Sequence, residues 1–414
     1  MARFSRLLCL AAPLCATAWG ATYYVDRVGG ADANAGTSQS SAWQTLNRVG
    51  QATFSPGDYI LLKRGQVWNQ QLNISSSGVP EAPITYGAFG TGAAPAIDGT
   101  GLTIAAHQGL VNSSGQSNLI IRDMEVRYSP VDGIVPYLAN GLQIRNCTVH
   151  DNQFNGIYAF NGNNILIDGS SFYNNSLNLA SNYSGIAIDG NSPAESNVTI
   201  SNNNIRDNIG GLGWIGANGI YFGHTGTAIP TLQNVLVTGN EIYRNGNPTQ
   251  NQAGRGISAS FNGDITVLRN HVYQNASAGI YLGDLNLTLT IVISQNVFWN
   301  NALRQFGGIT NGTALAQENL IYVDDPAITG MGVEIGGNGP WTLEYNIFTF
   351  AANTTDTWRG FIRINDPVQD GLLQSNYNVF YSAGPNRWKR SDGVILTFAQ
   401  WESFGFDLNS GNPQ

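Results

Sequence analysis

From residue 118 to about residue 380, hydrophobic and polar positions repeat as a short cycle. An Asn/Gly/Asp-rich bend leads into an aliphatic strand, a second Asn-rich bend follows, and then a Gly-Ile strand. The Gly-Ile member reads DGIVPY from Asp132, NGIYAF from Asn155, SGIAID from Ser184, NGIYFGH from Asn218, RGISAS from Arg255 and AGIYLGD from Ala278. The same glycine series is read onward through Gly307, Gly332 and Gly360. Constant strands at variable spacing predict insertions at corners. Within each Gly-Ile strand, alternation sends Ile134, Ile157, Ile186, Ile220, Ile257 and Ile280 inward, and Phe222 and Leu282 two residues beyond. The intervening Tyr158, Ala187, Tyr221, Ser258 and Tyr281 face outward, followed by Tyr137, Phe160, Asp189 and Ser260, which predicts a solvent-facing aromatic stripe. A second register runs NCTVHDN, GSSFYNN, NNNIRDN, GNEIYRN, RNHVYQN and SQNVFWN. Its final residues, Asn152, Asn175, Asn208, Asn245, Asn275 and Asn300, are expected to form a ladder in which each amide hydrogen-bonds to the next coil.

A third set of strands, such as Ile165-Leu166-Ile167 and Val235-Leu236-Val237, precedes the asparagine register and supplies another wall of the core. Three walls wound in one direction make an all-β, single-stranded parallel β-helix, with like residues stacked about 4.8 Å apart. Open ends of such a solenoid need covers. The expected organisation is a signal peptide at 1–20, an N-terminal cap with the first coils at 21–117, β-helix coils at 118–383 and a C-terminal cap at 384–414. The N-terminal cap carries a short helix near Trp43 to Val49. The C-terminal cap has helical spacing over Leu396 to Phe404.

Composition agrees with strands and tight turns, because only 11% of residues are charged and 50 are glycine. A formal charge of −8 excludes nucleic acid as the expected partner, since phosphate binding needs clustered cations. Lys63 and Lys389 are the only lysines. Arg3 and Arg6, the apolar run Leu7 to Ala16 and Ala18-Trp19-Gly20 read as a signal peptide cleaved near Gly20, so a secreted or periplasmic protein is expected. No later segment approaches the ~20 apolar residues of a membrane span. Cys147 alone remains after cleavage and reads as a small buried hydrophobe. The chain is expected to be monomeric.

The segments YYVDRVGGADANAGTSQSSAWQTL and PGDYILLKRG, with the N- and G-rich coils after them, resemble the secreted right-handed parallel β-helix proteins of bacteria. That superfamily includes pectate- and alginate-lyase relatives and some glycoside hydrolases, and the resemblance covers nearly the whole mature chain. It implies a right-handed coil with a polysaccharide lying across the outer face of the sheets. It carries over no complete active site. The acidic cluster of calcium-dependent pectate lyases has no counterpart here, so no metal site or cofactor is assigned and calcium dependence stays open. AIDG at Ala187 and FGHTG at Phe222 echo the polygalacturonase arrangement only loosely.

Extra residues between Ser176 and Gly256 would raise walls beside the outward stripe, and loops over a rigid scaffold commonly carry function. Their ionisable residues, Asp189, Glu195, His224 and Arg255, are the candidate catalytic groups. Glu195, on the loop after Asp189, could fold back over Asp189 and His224, giving a carboxylate pair for hydrolysis. Alternatively, His224 or Tyr221 abstracts a sugar proton while Arg255 stabilises the enolate, which is β-elimination. Tyr158, Phe160, Trp214, Tyr221, Tyr281 and Asp284 are the candidate glycan-binding residues. Bland alternatives stand beside these: Asp189 as a turn former, His224 as a solvated loop residue, Arg255 in a surface ion pair and the aromatics as packing beneath loops. His150 and His271 belong to the repeat and read as structural. The leading function is a secreted polysaccharide hydrolase or lyase, and the alternative is a non-catalytic carbohydrate-binding or surface protein.

Overall fold

The computed structural model describes residues 20–178, 183–190, 195–210, 217–223, 229, 231–247, 254–284, 286–325, 327–328, 330–351, 360–382 and 387–411. Three long sheets of 13, 13 and 12 strands run the length of the molecule. Each coil visits them in turn: Leu142–Arg145, then Thr148–His150, then Ile157–Phe160, before Ile165–Asp168 returns to the first wall one level up. We call these walls the entry sheet, the asparagine sheet and the glycine sheet. Neighbouring coils pair in parallel, and among the named strands of the described residues Trp388–Lys389 and Ile395–Leu396 pair antiparallel. The architecture is the single-stranded parallel β-helix expected from the periodicity.

Inward aliphatics from all three walls form one continuous core, in which Ile157, Ile186, Ile220, Ile257 and Ile280 are fully buried. At the first end, Trp43, Leu46, Val49 and Phe54 around the helix Leu46–Gly50 close this core. At the other, Trp388 packs over Phe361 and Phe380, and Trp401 on the helix Phe398–Ser403 stacks on Trp388. Among the described residues no helix is long and apolar enough to cross a membrane.

The asparagine ladder is present, with one correction. Asn152 donates to Asn175 at 2.7 Å, Asn208 to Asn245 at 2.9 Å, Asn245 to Asn275 at 3.0 Å and Asn275 to Asn301 at 2.9 Å. The last rung is therefore Asn301, whereas Asn300 turns outward and donates to Asp324. The ladder explains the glycines. A Cβ on Gly185, Gly219 or Gly256 would lie 2.7 to 2.9 Å from an asparagine Nδ2 and equally close to the next coil's carbonyl. Each side-chain amide thus occupies the space that a larger residue at the Gly position would need. A second ladder, not anticipated from the sequence, runs from Asn203 through Asn240, Asn270, Asn296, Asn319 and Asn346 to Asn378 at 2.9 to 3.1 Å per rung.

The later glycine series also needs correction. Ala278 pairs with Arg304 and Ile280 with Phe306, so Gln305 takes the place of Gly279, and Gly307 sits two positions downstream, opposite Tyr281. Where glycine is replaced, Gln305 Oε1 accepts from Asn301 and ends the ladder. Val333 pairs with Ile362, which likewise puts Phe361, not Gly360, opposite Gly332.

Candidate functional site

Strand register aligns one outward column on the glycine sheet: Tyr158, Ala187, Tyr221, Ser258, Tyr281, Gly307, Glu334, Arg363 and Lys389. The column is continuous, but it is not the open aromatic stripe expected. Tyr158 is only 9% exposed and Phe160 only 7%, because they pack with Val135 and Ala187 in an outer cluster separate from the main core. Tyr137 stacks on Phe160 with centroids 4.9 Å apart, and Tyr137 and Tyr221 cover the cluster while staying partly exposed. Alternation correctly placed these rings on the outer face. Neighbouring rings on that same face then removed them from water.

Asp189 lies at the end of its strand, 2% exposed, where its carboxylate accepts from the Tyr158 hydroxyl at 3.3 Å and from the Gly190 amide at 2.8 Å. Glu195 opens the strand Glu195–Ser201 of the entry sheet, paired with Leu232. That is a correction, since a loop folding back over Asp189 was expected and the chain has instead turned the corner to another wall. Trp214 and His224 lie outside the described residues. Asp284 follows the strand Ala278–Gly283 and is exposed.

Farther along the column a tighter group forms. The Arg255 guanidinium lies 4.5 Å from the centre of the Tyr281 ring and that of Arg304 lies 4.8 Å from it, so one ring is flanked by two cations. Arg255 donates to the buried Ser258 hydroxyl at 3.0 Å. Arg304 Nη1 meets Glu334 at 2.6 Å, and Asn365 also donates to that carboxylate, which is 6% exposed. Gly307 sits between Tyr281 and Glu334 without a side chain, and a Cβ there would clash with the Glu334 carbonyl oxygen. Arg304 contacts the side chains on both sides of this glycine, Tyr281 and Glu334.

Arg304 and Glu334 form a compensated pair, but among the described residues Arg255 has no carboxylate within ion-pair distance. Burial lowers its pKa from the ordinary arginine value and the repulsion of Arg304 adds to this, while Tyr281, Tyr221 and Glu334 oppose the shift. Burial raises the Tyr281 hydroxyl above its usual value, with Arg304 opposing and Glu334 adding, so the phenol keeps its proton at neutral pH. The group thus offers a proton donor, a carboxylate and a cation awaiting an anion. Of the sequence candidates the structure brings Arg255 and Tyr281 together, and separately Asp189 and Tyr158. Ser258 was read only as an outward residue, and Arg304, Glu334 and Asn365 were missed altogether. The signal for Glu334 was a carboxylate two residues after Gly332, at the position that tyrosines fill in earlier coils. Among the described residues no three His, Cys, Asp or Glu side chains cluster as a metal site.

Comparison with known proteins places the fold. A stretch of 78 residues is 44% identical to a lacto-N-biosidase of Bifidobacterium longum subsp. longum, spanning 18% of this chain and only 5% of that protein. The A-module of the mannuronan C-5 epimerase AlgE6 from Azotobacter vinelandii superposes with a TM-score of 0.53 at 15% identity, covering 89% of this chain and 91% of that one. A lacto-N-biosidase from Eubacterium ramulus superposes with a TM-score of 0.46 at 15% identity, covering 94% and 67%. The family model described as a right handed beta helix region matches residues 108–194 and 132–349, more than half of the sequence. The chain belongs to this right-handed β-helix family.

Proposed function

We propose that the chain is an exported polysaccharide-active enzyme that holds a glycan along the outer face of the glycine sheet and acts on it at Tyr281. The signal-peptide pattern of residues 1–20 supports export. The observation that carries the activity is Tyr281 held between Arg255 and Arg304, with Glu334 two coils along the same column and paired to Arg304. In this reading the glycan crosses above Gly307. Glu334 acts as general base on one side of a sugar ring and Tyr281 as general acid on the other. Arg255 and Arg304 stabilise the negative charge that develops when a proton leaves the carbon next to a sugar carboxylate.

That arrangement favours β-elimination, or a proton exchange at the same carbon, over hydrolysis. Hydrolysis by the usual route needs two carboxyl groups about 5 to 9.5 Å apart. Glu334 is five coils from Asp189, roughly 24 Å at the spacing of stacked strands. A hydrolase reading draws support from exposed Asp284, three residues beyond Tyr281, as a second carboxylate for Glu334, and from the short match to a lacto-N-biosidase. Incubation of the purified protein with acidic and neutral polysaccharides decides between them. Unsaturated sugar ends detected by ultraviolet absorbance indicate elimination, while new reducing ends without that absorbance indicate hydrolysis. Glycan binding with neither product would leave a binding protein and sink the enzymatic reading.

A further inference from the structure

The outer face of the entry sheet carries a groove of about 400 Å³ that the chemistry at Tyr281 does not use. At one end stand Pro80, in the tight turn from Val79 to Ala82, and Pro83 just after it. Its floor is one outward column in which register aligns Gln143, Leu166 and Thr199, all half-buried. No residue lining the groove is charged. The cations of the same wall, Arg122 and Arg145, lie two residues farther along their strands and face Asp123 and Asp168, with Arg145 donating as well to Gln143. Along one rim, at the corner where the chain enters this sheet, runs a row of amides. Asn164 donates to Asn140 at 2.7 Å, Asn197 to Asn164 at 2.8 Å and, just beyond the groove, Asn234 to Asn197 at 3.0 Å; all four side chains are exposed. This row spends its protons differently from the interior ladders. Inside, Asn245 Nδ2 donates both to Asn275 and to the Ile205 carbonyl, which uses its two protons. On the rim, Asn164 and Asn197 each give one amide proton to the neighbouring coil and, among the described residues, meet no second acceptor. One outward donor per coil, about every 4.8 Å, thus runs beside a strip of apolar and uncharged polar side chains.

We propose that this groove is a second glycan-binding site, which takes an uncharged chain of sugars and does no chemistry on it. The outward amide protons of Asn164 and Asn197 donate to sugar hydroxyl oxygens on successive coils. Leu166, Pro80 and Pro83 supply the apolar contact that the C–H face of a sugar ring removes from water. The lining decides the class of ligand. A carboxylate-bearing sugar would give up hydration to a wall with no lining cation to receive it, a cost that an uncharged sugar does not incur. The entry sheet is a different wall from the glycine sheet, so the site stands or falls independently of the reaction assigned to Tyr281. A neutral polymer held there anchors the protein and leaves the glycine sheet open.

Calorimetry of the full protein with linear hexasaccharides of glucose, xylose, mannose and galactose, and with hexagalacturonate as the acidic comparison, tests the site. At least one neutral hexasaccharide should bind. Thr199→Lys sets a long charged side chain on the groove floor without touching the amide row or the core, and should weaken that binding at least about tenfold, the scale of one lost apolar contact together with one lost hydrogen bond. Leu166→Ala, a milder change on the same half-buried column, should weaken it in the same direction and serves as the test if Thr199→Lys fails to fold. Arg255→Gln should leave neutral binding unchanged, and Thr199→Lys should leave turnover unchanged, which separates this site from the one at Tyr281. Binding of none of the four neutral hexasaccharides overturns the proposal. So does neutral binding that survives both groove variants, or that is lost in Arg255→Gln, since the sugar would then sit on the glycine sheet. Hexagalacturonate binding that persists in Arg255→Gln and falls in Leu166→Ala would overturn the assignment to an uncharged ligand.

Discussion

The outer faces of the asparagine sheet and the glycine sheet are made from the same residue types and end in opposite conditions. On the asparagine sheet, Tyr243 and Tyr273 stack face to face at 4.7 Å and 4°, His150 stacks on Tyr173 at 4.6 Å, and each ring hides its neighbour's face. Every arginine in that column is answered locally: Arg127 by Asp98 and Glu125, and Arg206 by Asp207, which the adjacent Arg244 also grips. On the glycine sheet, Arg255 stacks on Tyr281 with no carboxylate within ion-pair distance among the described residues. A ladder that satisfies itself stabilises the coil and leaves nothing for a ligand. A buried charge left unanswered is costly in the empty protein, and binding recovers that cost.

The sharpest way to break this comparison is to neutralise the glycine-sheet group. Glu334→Gln keeps the size of the side chain and its contact with Asn365 while removing the proposed base. Turnover should fall roughly 10² to 10⁴-fold, the usual weight of one general acid or base, with circular dichroism unchanged. Turnover within about twofold of wild type, where twofold is near 0.4 kcal/mol, would place the chemistry elsewhere. Next in size is an attack on the interior ladder. Asn245 donates to Asn275 and to the Ile205 carbonyl and accepts from Asn208, all fully buried. Asn245→Ala strands those partners and should cost about 2 to 4 kcal/mol, read as a lowered denaturant midpoint. Gly219→Ala pushes a methyl to 2.9 Å from the same amide and should cost about 1 to 3 kcal/mol. Neither should alter catalysis per folded molecule.

The contrast also shows what could be read before the structure. Asn152, Asn175, Asn208, Asn245 and Asn275 were legible as a ladder because an amide is both donor and acceptor, so the same residue recurring at one position of each coil can bond to its copies above and below. The second ladder was equally present in the repeat, one residue before each asparagine-sheet strand, yet Cys147 and Ser170 occupy its first positions and mask the pattern. Tyr281 was legible as an outward residue of a Gly-Ile strand, and Arg255 as an ionisable residue of the insertions before one. Arg304 and Glu334 were not, since RQFGGI contains a Gly-Gly-Ile that draws the register two residues too far, and only backbone pairing reveals Gln305 at the glycine position. The burial of Tyr158 and Phe160 was beyond reach for another reason. Periodicity says which face a side chain takes, whereas exposure depends on the rings beside it, here Tyr137 and Tyr221.

A third, smaller ladder on the glycine sheet sharpens the comparison through pH. Asp132 accepts from the Asn155 amide nitrogens at 3.0 and 2.8 Å, Asn155 accepts from Ser184, and Asn218 accepts from Arg255. Asp132 is the first rung, and burial pushes its carboxyl up to about 6 despite those hydrogen bonds. A folded value above the unfolded one means that the native state holds the proton more tightly. Stability contributed by this group is therefore complete below about pH 4 and is lost as pH rises toward 6. Asp132→Asn supplies a neutral rung and should gain roughly 2 kcal/mol at pH 7, with no advantage at pH 4. A midpoint difference that is the same at both pH values would show that the carboxyl is not strained by burial.

The smallest effect belongs to the counterpart of Arg255 on the other wall. Arg244 makes two hydrogen bonds to Asp207, at 2.7 and 2.9 Å, and lies over Tyr243, so its local geometry is the better of the two. Its side chain is also 52% exposed, and an exposed pair is worth only about 0.2 to 1 kcal/mol once screening and side-chain entropy are counted. Arg244→Ala should therefore lower the denaturant midpoint slightly, less so in high salt, and leave glycan binding untouched. Arg255→Gln should do the reverse, leaving stability level or raised because an unanswered charge has left a poorly hydrated site, while acidic-glycan binding is lost. If both variants lost stability alike and neither lost binding, the two walls would be equivalent scaffolding, and local charge compensation would no longer distinguish the face that binds from the face that only holds the coil together.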